Sequence, residues 1–309
     1  QVRKETPYFD SYPSEYFSGA INPLKKRIVK KNLNIDSKFR DNYFGNSSSN
    51  FNFNLPINMN NVVQMQLSAI ELPTTYYAIS KQLDNHFFTI TVNSITTTIT
   101  IPTGNYTQTS IMTEINNQLS LATGAPFNEV IFSINLATGT GSGQTKVDLA
   151  SPSFITEFEL NFQTDNKGNT DLNAPLPLKL GWILGFRNGD YTNKLNYVSE
   201  GIVDVSGPKY LFLVVDDYNN SVNNSFYSAF NESLLNKNIL ARISLTSPHE
   251  SFSTLQQNNL NIVTTPREYF GPVNIQTLNI QLLDEYGRII DLNYMDFSLC
   301  LNLKVVYDL

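Results

Sequence analysis

The stretch Met295–Tyr307, near the C-terminus, alternates between apolar and mostly polar residues. Its odd positions are all apolar or aromatic: Met295, Phe297, Leu299, Leu301, Leu303, Val305 and Tyr307. The even positions are polar or charged except Cys300 and Val306. Successive side chains of a β-strand point to opposite faces, so this period predicts a long strand. One face of that strand is apolar and has to be buried, which most constrains what the chain can fold into.

A second strand is expected just before this one. Leu278, Ile280 and Leu282 alternate with polar residues, and Asp284–Gly287 supplies turn residues. The two segments predict a C-terminal hairpin of long antiparallel strands. An unpaired edge of that length invites aggregation, so we expect the final strand to be paired inside a sheet. The predicted fold class is an all-β antiparallel sandwich that closes only when its C-terminus is in place.

Alternation and β-branched runs predict further strands along the chain. They fall at residues 33–37, 51–55, 63–69, 86–92, 95–101, 130–136, 146–150, 155–162, 209–216 and 239–245. The pair 86–92 and 95–101 is expected to form a hairpin around Asn93-Ser94. Two long polar connections, 217–238 and 246–272, are expected to bind or pack on a neighbour, since loops of that length are uncommon otherwise.

One segment instead has helical spacing. Ile111, Met112, Ile115, Leu119 and Leu121 recur on one side of a helix. Thr107 or Thr109 is expected to cap its start, and Gly124 lies beyond its end. A single amphipathic helix among strands is expected to pack across a sheet edge or a sandwich end.

Charge is distributed unevenly. The chain has 309 residues and a formal charge of −6, but residues 1–40 hold nine basic and four acidic side chains, which leaves −11 for the rest. We interpret residues 1–32 as an extended basic arm with aromatic anchors, since disordered tails are usually poor in aromatics. Its candidate assembly residues are Lys25, Lys26, Arg27, Lys30 and Lys31. We expect the arm to contact an acidic neighbouring subunit; nucleic acid is the less favoured partner.

Other compositional features limit the class of protein. A hydrophobic content of 41% is enough for a core, and a single cysteine, Cys300, excludes an intrachain disulfide framework. No apolar stretch reaches the ~18 residues of a membrane-spanning helix, and no signal peptide is apparent.

The sequence offers little for catalysis. His86 and His249 have no ligand partner at metal spacing, and Cys300 lies on the polar register of the final strand. The glycines at 139–143 precede a strand, whereas a phosphate loop precedes a helix, so a hairpin turn is expected there. The oxygen-rich 165–169 segment lacks the spacing of a Ca²⁺ loop. We therefore predict a protein that is not an enzyme, with no cofactor, no metal and no catalytic residues.

Two blocks of the chain resemble a known family. The first comprises residues 33–43, 51–56 and 62–73 with Tyr76-Tyr77, and the second comprises 270–272, 282–288 and 291–303. Gly104–Thr107 and Leu180–Phe186 fit the same pattern. These blocks resemble the jelly-roll minor capsid or penton proteins of nucleocytoplasmic large DNA viruses (giant viruses) and related virophages.

The resemblance implies an antiparallel jelly-roll sandwich at residues 33–309, with an insertion that contains one short helix, and residues 104–200 as a possible inserted β subdomain. It implies a structural virion protein that assembles in an icosahedral capsid with copies of itself, as a pentamer at a five-fold vertex for example, and with the major capsid protein. A glycan- or receptor-binding β-sandwich on the virion surface is the alternative, and a buried Trp182 is expected to count against it. A β-sandwich hydrolase is a third hypothesis.

Overall fold

The computed structural model describes most of the chain from Arg27 onward. The described residues are 27–135, 141–219, 226–230, 233–235, 238–245, 261–264 and 266–307. Residues 1–26 of the predicted arm, including Lys25 and Lys26, lie outside them, as do His249 and part of the predicted connection 246–272.

The strands are numbered in chain order: β1 (Arg27–Asp36), β2 (Asn50–Glu71), β3 (Phe87–Val92), β4 (Ile95–Thr100), β5 (Val130–Ile134), β6 (Gln144–Leu149), β7 (Phe158–Asn161), β8 (Asp190–Lys194), β9 (Tyr197–Ile202), β10 (Tyr210–Asp216), β11 (Ser228–Phe230), β12 (Ser233–Leu235), β13 (Ile239–Ser244), β14 (Asn261–Thr264), β15 (Arg267–Leu283) and β16 (Ser298–Tyr307). The α-helices of the described residues are α1 (Gln108–Leu121) and α2 (Leu180–Ile183).

Seven strands form one curled antiparallel sheet in the order β1-β16-β2-β15-β10-β13-β14. The pairing is nested, since the first strand pairs with the last and the second with the one before the last. A long hairpin that rolls up on itself gives this pattern, which is the topology of a jelly roll. The predicted all-β antiparallel jelly-roll fold is confirmed.

The first hydrophobic core lies on the inner face of this sheet. It joins buried side chains from both ends of the strand order, including Ile35 of β1, Leu301 of β16 and Ile243 of β13. From Ser298 to Val305 of β16 half-buried and buried residues alternate, as the sequence pattern predicts. The pattern ends there, since Val306 is buried and Tyr307 is exposed. The apolar period of two therefore fixes the covered face over most of β16.

A second core draws its residues from the part of the chain between β2 and β10, from Ile79 to Val203. It is built by the sheet β4-β3-β7-β8, the sheet β5-β6-β9 and α1. The predicted hairpin at 86–101 is present as β3 and β4. The division of the chain into an arm, a sandwich and an inserted subdomain stays a prediction.

Helix α1 forms where the helical spacing predicts it. Thr107 is the N-cap: its hydroxyl accepts from the backbone N–H of Ser110, whose side chain in turn accepts from the N–H of Thr107. Ile111, Met112, Ile115 and Leu119 are buried against the second core. The predicted cap at Thr107 is confirmed, and so is the apolar face except at Leu121, which is exposed.

The predicted C-terminal hairpin is wrong. β15 and β16 are not paired with each other, because β2 lies between them and pairs with both. The turn that follows β15 does form: the backbone N–H of Gly287 donates to the carbonyl of Asp284. The chain then continues for residues 284–297 before β16 begins. That connection is long enough to cross over an intervening strand.

Several strands also begin inside segments that were predicted to be an arm or a connection. β1 begins at Arg27, so residues 27–32 of the predicted arm are a strand of the sheet, paired with β16. β15 begins at Arg267, within the predicted connection 246–272. In both cases backbone pairing with a neighbour extends the strand beyond the alternating stretch. At β1 the added residues are exposed, whereas at β15 Arg267 and Tyr269 are buried.

Candidate functional site

Strand β1 lies at the edge of the seven-stranded sheet. It pairs over its full length with β16, and no other described strand pairs with its outer side. Its first six residues are all exposed, on both faces of the strand. Ile28 is 57% exposed and Val29 is 42% exposed. We call residues 27–32 the β1 edge.

The β1 edge carries the three predicted assembly residues that the structure describes. Arg27, Lys30 and Lys31 are exposed, and within the described part of the chain none of them forms an ion pair. Lys30 lies directly opposite Lys304 of β16. Like charges in this position repel each other. The structure thus concentrates positive charge on an open edge that no described carboxylate neutralises.

The strand nevertheless has local reasons to form. Ile28 and Val29 are β-branched and favour an extended backbone. The amide of Asn302 donates to the side-chain oxygen of Asn32 at 2.8 Å across the pair. At the far end Ile35 is buried in the first core. Strand β1 is therefore anchored in the core at its C-terminal end, and its first residues, the β1 edge, are exposed.

A second surface lies beyond the other end of β1, where a groove of about 690 Å³ opens between two loops. Its walls include Arg40, Tyr43 and Phe44 from the loop after β1, and Tyr294 from the connection before β16. Phe44 is 99% exposed and Tyr294 is 92% exposed. We call this surface, with Tyr43, Phe44 and Tyr294 as its aromatic residues, the aromatic groove.

The two loops are tied together by a buried arginine. Arg40 donates from Nη1 to Asp296 Oδ1 at 2.6 Å and to the carbonyl of Ser37 at 2.7 Å. Its guanidinium lies 3.8 Å from the centroid of the Tyr43 ring, and the Tyr43 hydroxyl donates to Asp296 Oδ2 at 3.1 Å. Tyr43 in turn packs edge-to-face on Phe44 at 5.4 Å. The position of the exposed Phe44 is thus fixed by a hydrogen-bonded ion pair.

Tyr294 is held in an unfavourable backbone conformation. Its φ is 62°, and that of Asn293 before it is 53°. The left-handed region is uncommon for a bulky residue such as Tyr and costs about 1 kcal/mol or more. Asn293 supports the turn through its N–H, which donates to Asp291 Oδ1 at 2.8 Å, and through its side-chain amide, which donates to the carbonyl of Thr75. The loop therefore presents an aromatic ring to solvent at a cost in backbone energy.

A smaller cavity of about 170 Å³ is lined by residues that precede β10, among them Trp182 and Arg187, and by residues of the turn after β15, among them Glu285, Tyr286 and Arg288. We call it the junction cavity. Trp182 is half-buried, so the prediction that it is buried is wrong. The Arg187 guanidinium lies 4.1 Å from the centroid of its ring. Burial raises the pKa of Glu285, and the neighbouring Asp284 carboxylate raises it further.

Among the residues with chemically reactive or metal-binding side chains, Asp165 is engaged in a local turn. Asp165 accepts from the backbone N–H groups of Lys167 and Asn169, and the hydrogen bonds from Asn169 hold its pKa below the ordinary value. Burial lowers the pKa of His86. Cys300 is half-buried on β16. Among the described residues no group of three His, Cys, Asp or Glu side chains is placed to hold a metal ion.

None of the described helices is both long enough and apolar enough to cross a bilayer.

The basic residues of the arm are apparent from the sequence, whereas the aromatic groove is not. Tyr43 and Phe44 stand in a polar stretch rich in turn residues, from Asp41 to Asn50, where no strand or helix period covers them. Aromatic residues outside any apolar face are the signal that could have indicated an exposed cluster. Only the three-dimensional structure shows that Tyr294, far away in the sequence, lines the same groove.

Comparison with known proteins gives matches among solved structures only. No protein-family model matches the chain, and none of the curated proteins matches it. The crystal structure of the selenomethionine-labelled mavirus penton protein aligns with 11% identity and a TM-score of 0.41, over 91% of this chain and 100% of that one. The cryo-EM structure of the Sputnik virophage aligns with 14% identity and a TM-score of 0.35, over 90% of this chain and 98% of that one. The fold assignment given above rests on strand order and register.

Proposed function

We propose that this chain is a structural virion protein, a minor capsid or penton component of a large icosahedral DNA virus or a related virophage. It acts through assembly contacts with copies of itself and with other capsid proteins, and it carries out no catalysis. Two observations support the proposal: the two sequence blocks resemble capsid proteins, and the jelly roll has exposed surfaces that are suited to contacts between molecules.

The observation that carries the proposal is the β1 edge. Proteins that remain monomeric blunt or cover their sheet edges, because an open row of backbone N–H and C=O groups pairs with other chains. Here Ile28 and Val29 are exposed beside that open edge. Lys30 and Lys31 protect the edge against indiscriminate pairing, since a partner strand has to supply negative charge to lie beside them. Such an edge suits a specific contact with an acidic neighbour.

The rest of the molecule provides the rigid frame that such contacts need. β2 and β15 are 22 and 17 residues long and are paired with each other along the sheet, with several register shifts that bend it. Bulges increase the local twist and let a long pair curl around a core. The β1 edge is fixed to this frame through β16. Contacts repeated around a symmetry axis can then multiply modest affinities.

Mass spectrometry of purified virus particles from the source of this sequence tests the proposal, together with sedimentation equilibrium of the purified protein. We expect the chain in the particles at a stoichiometry compatible with icosahedral positions. In solution we expect species that are multiples of 34.9 kDa. A strictly monomeric protein that is absent from particles would contradict the proposal.

One observation favours a second function, recognition of a glycan or receptor at the virion surface. Trp182 and Tyr286 both line the junction cavity, each with a guanidinium near its ring, that of Arg187 at 4.1 Å and that of Arg288 at 5.5 Å. Aromatic rings beside charged donors are suited to binding a sugar. A glycan array probed with the wild type and with Trp182→Ala tests this function, with Phe154→Ala, at a ring outside the cavity, as the control. Glycan recognition at this cavity would be excluded if the wild type bound no glycan, or if Trp182→Ala bound the same glycans as the wild type.

A further inference from the structure

The aromatic groove has the properties of a binding site for a protein segment. Binding energy at interfaces is concentrated in a few aromatic and arginine residues, and preorganisation lowers the entropy lost on binding. Phe44 and Tyr294 are almost fully exposed, yet each stands on a loop that the Arg40–Asp296 ion pair and the Asn293 hydrogen bonds hold in place. An exposed apolar surface built at this cost indicates that something covers it.

We propose that the aromatic groove receives the segment Tyr8–Phe17 of a second copy of this chain, an inference that rests on the proposed function because it requires copies to assemble. The segment contains five aromatic residues: Tyr8, Phe9, Tyr12, Tyr16 and Phe17. Each aromatic pair contributes about 0.5–1.5 kcal/mol beyond the area that it buries. Several such pairs in one groove give a contact that selects an aromatic segment.

Distance along the chain favours a second copy over the same chain. β1 spans about 30 Å, at roughly 3.3 Å per residue, between Arg27 and the loop that carries Phe44. Residues 18–26 reach at most about the same distance when fully extended. The chain could fill its own groove only by running straight back along β1, which would place Lys25 and Lys26 beside Arg27, Lys30 and Lys31. If the segment comes from a neighbouring copy, residues 18–26 need not be fully extended, and Lys25 and Lys26 need not lie beside the positive charges of the β1 edge.

Photo-crosslinking of the full-length assembled protein identifies the occupant. Phe44 is replaced by p-benzoylphenylalanine, and unlabelled chains are mixed with ¹⁵N-labelled chains before assembly and irradiation. We expect crosslinks from position 44 to the tryptic peptide of residues 5–25, and we expect pairs that contain one labelled and one unlabelled chain. Crosslinks within single chains only, to another segment, to another capsid protein, or none in assembled protein would overturn the inference. The same probe at Phe154, which is 82% exposed, is the control and should not label that peptide.

Association measurements with alanine variants give an independent test. The double variant Phe44→Ala/Tyr294→Ala and the variant Tyr8→Ala/Phe9→Ala/Tyr12→Ala should each weaken self-association by about tenfold or more. Phe154→Ala should leave it unchanged, and thermal unfolding should show that all variants are folded. Variants that assemble normally would overturn the groove as the binding site and leave the proposed function standing. A wild-type protein that never assembles would instead contradict the proposed function itself.

Discussion

Strands β1 and β16 are neighbours with opposite surroundings. They pair residue by residue, from Arg27 opposite Tyr307 to Asp36 opposite Ser298. On β16, Leu299, Leu301, Leu303 and Val305 are buried, whereas the first six residues of β1 are exposed. β16 thus belongs to the core of the molecule, whereas the first six residues of β1 belong to its surface. The comparison shows that β1 extends beyond the core through pairing with β16 and without burial of its own side chains there.

This difference indicates different roles for two strands of one sheet. Burial of apolar side chains stabilises β16 by about 25 cal/mol for each Å² removed from water. Arg27–Asn32 of β1 gain little from burial within the described chain, so their sequence is free to serve a contact between molecules. The charges of Lys30 and Lys31 fit that role, because they would be costly on a covered face.

The largest effect is expected at the centre of β16. Leu301→Asp places an unpaired charge in the first core and should cost about 4 kcal/mol or more, enough to abolish cooperative folding. Cys300→Asp, one residue away on the half-buried face, should be tolerated. Circular dichroism and urea unfolding measure both. If Cys300→Asp also unfolds the protein, both faces of β16 are covered and the contrast with β1 is wrong.

The next effect concerns the ion pair that joins the end of β1 to the start of β16. Arg40→Met leaves the carboxylate of Asp296 without its partner and should lower the free energy of unfolding by about 3 kcal/mol. Lys38→Met is the control. It removes only a surface pair with Asp36 at 3.7 Å and should change the free energy by less than about 0.5 kcal/mol. Equal losses in urea unfolding would show that the Arg40 pair contributes no more than a surface pair.

A matched pair of valines measures the difference between the strands directly. Val29 and Val305 lie opposite each other in the sheet, and Val29 is 42% exposed while Val305 is 6% exposed. Val305→Ala should therefore cost about 1.5–3 kcal/mol and Val29→Ala no more than about 0.5 kcal/mol. Similar unfolding free energies for the two variants would mean that the start of β1 is covered in the isolated protein.

The smallest effect has the opposite sign. Lys30→Glu replaces the like-charge pair with Lys304 by an attractive one, so it should stabilise the isolated chain by about 0.2–1 kcal/mol at low salt. The same change should weaken self-association, because it removes positive charge from the β1 edge. Lys146→Glu, at an exposed lysine of β6 outside the β1 edge, is the control for association. A stabilised variant that assembles normally would exclude charge as a feature of this contact.

The sequence predicted the buried face of a strand better than it predicted which strands pair with each other. The alternation identifies the buried side of β16 from Leu299 to Val305, because burial is a property of each residue in its own strand. It does not hold at the ends, where Met295 and Tyr307 are exposed. It cannot show that β2 separates β15 from β16, since strand order depends on contacts between distant segments. The cap of α1 was predictable because it depends only on residues close in sequence: Thr107 and Ser110 interact within one turn.

The candidate site was predictable only in part. The basic residues stand together in the sequence, whereas Phe44 and Tyr294 meet only in the folded chain. Trp182 was expected to be buried because apolar residues flank it. The run around it instead forms a short helix, α2, beside the junction cavity, with one side of the helix facing the second core. Apolar neighbours in sequence do not establish burial on every side.

A cryo-EM map of the virus particle with this chain placed tests the central claim most directly. The account predicts that the chain occupies an icosahedral position, and that neighbouring chains cover both the β1 edge and the aromatic groove. A map in which the chain is absent, or in which both surfaces face solvent, would contradict it.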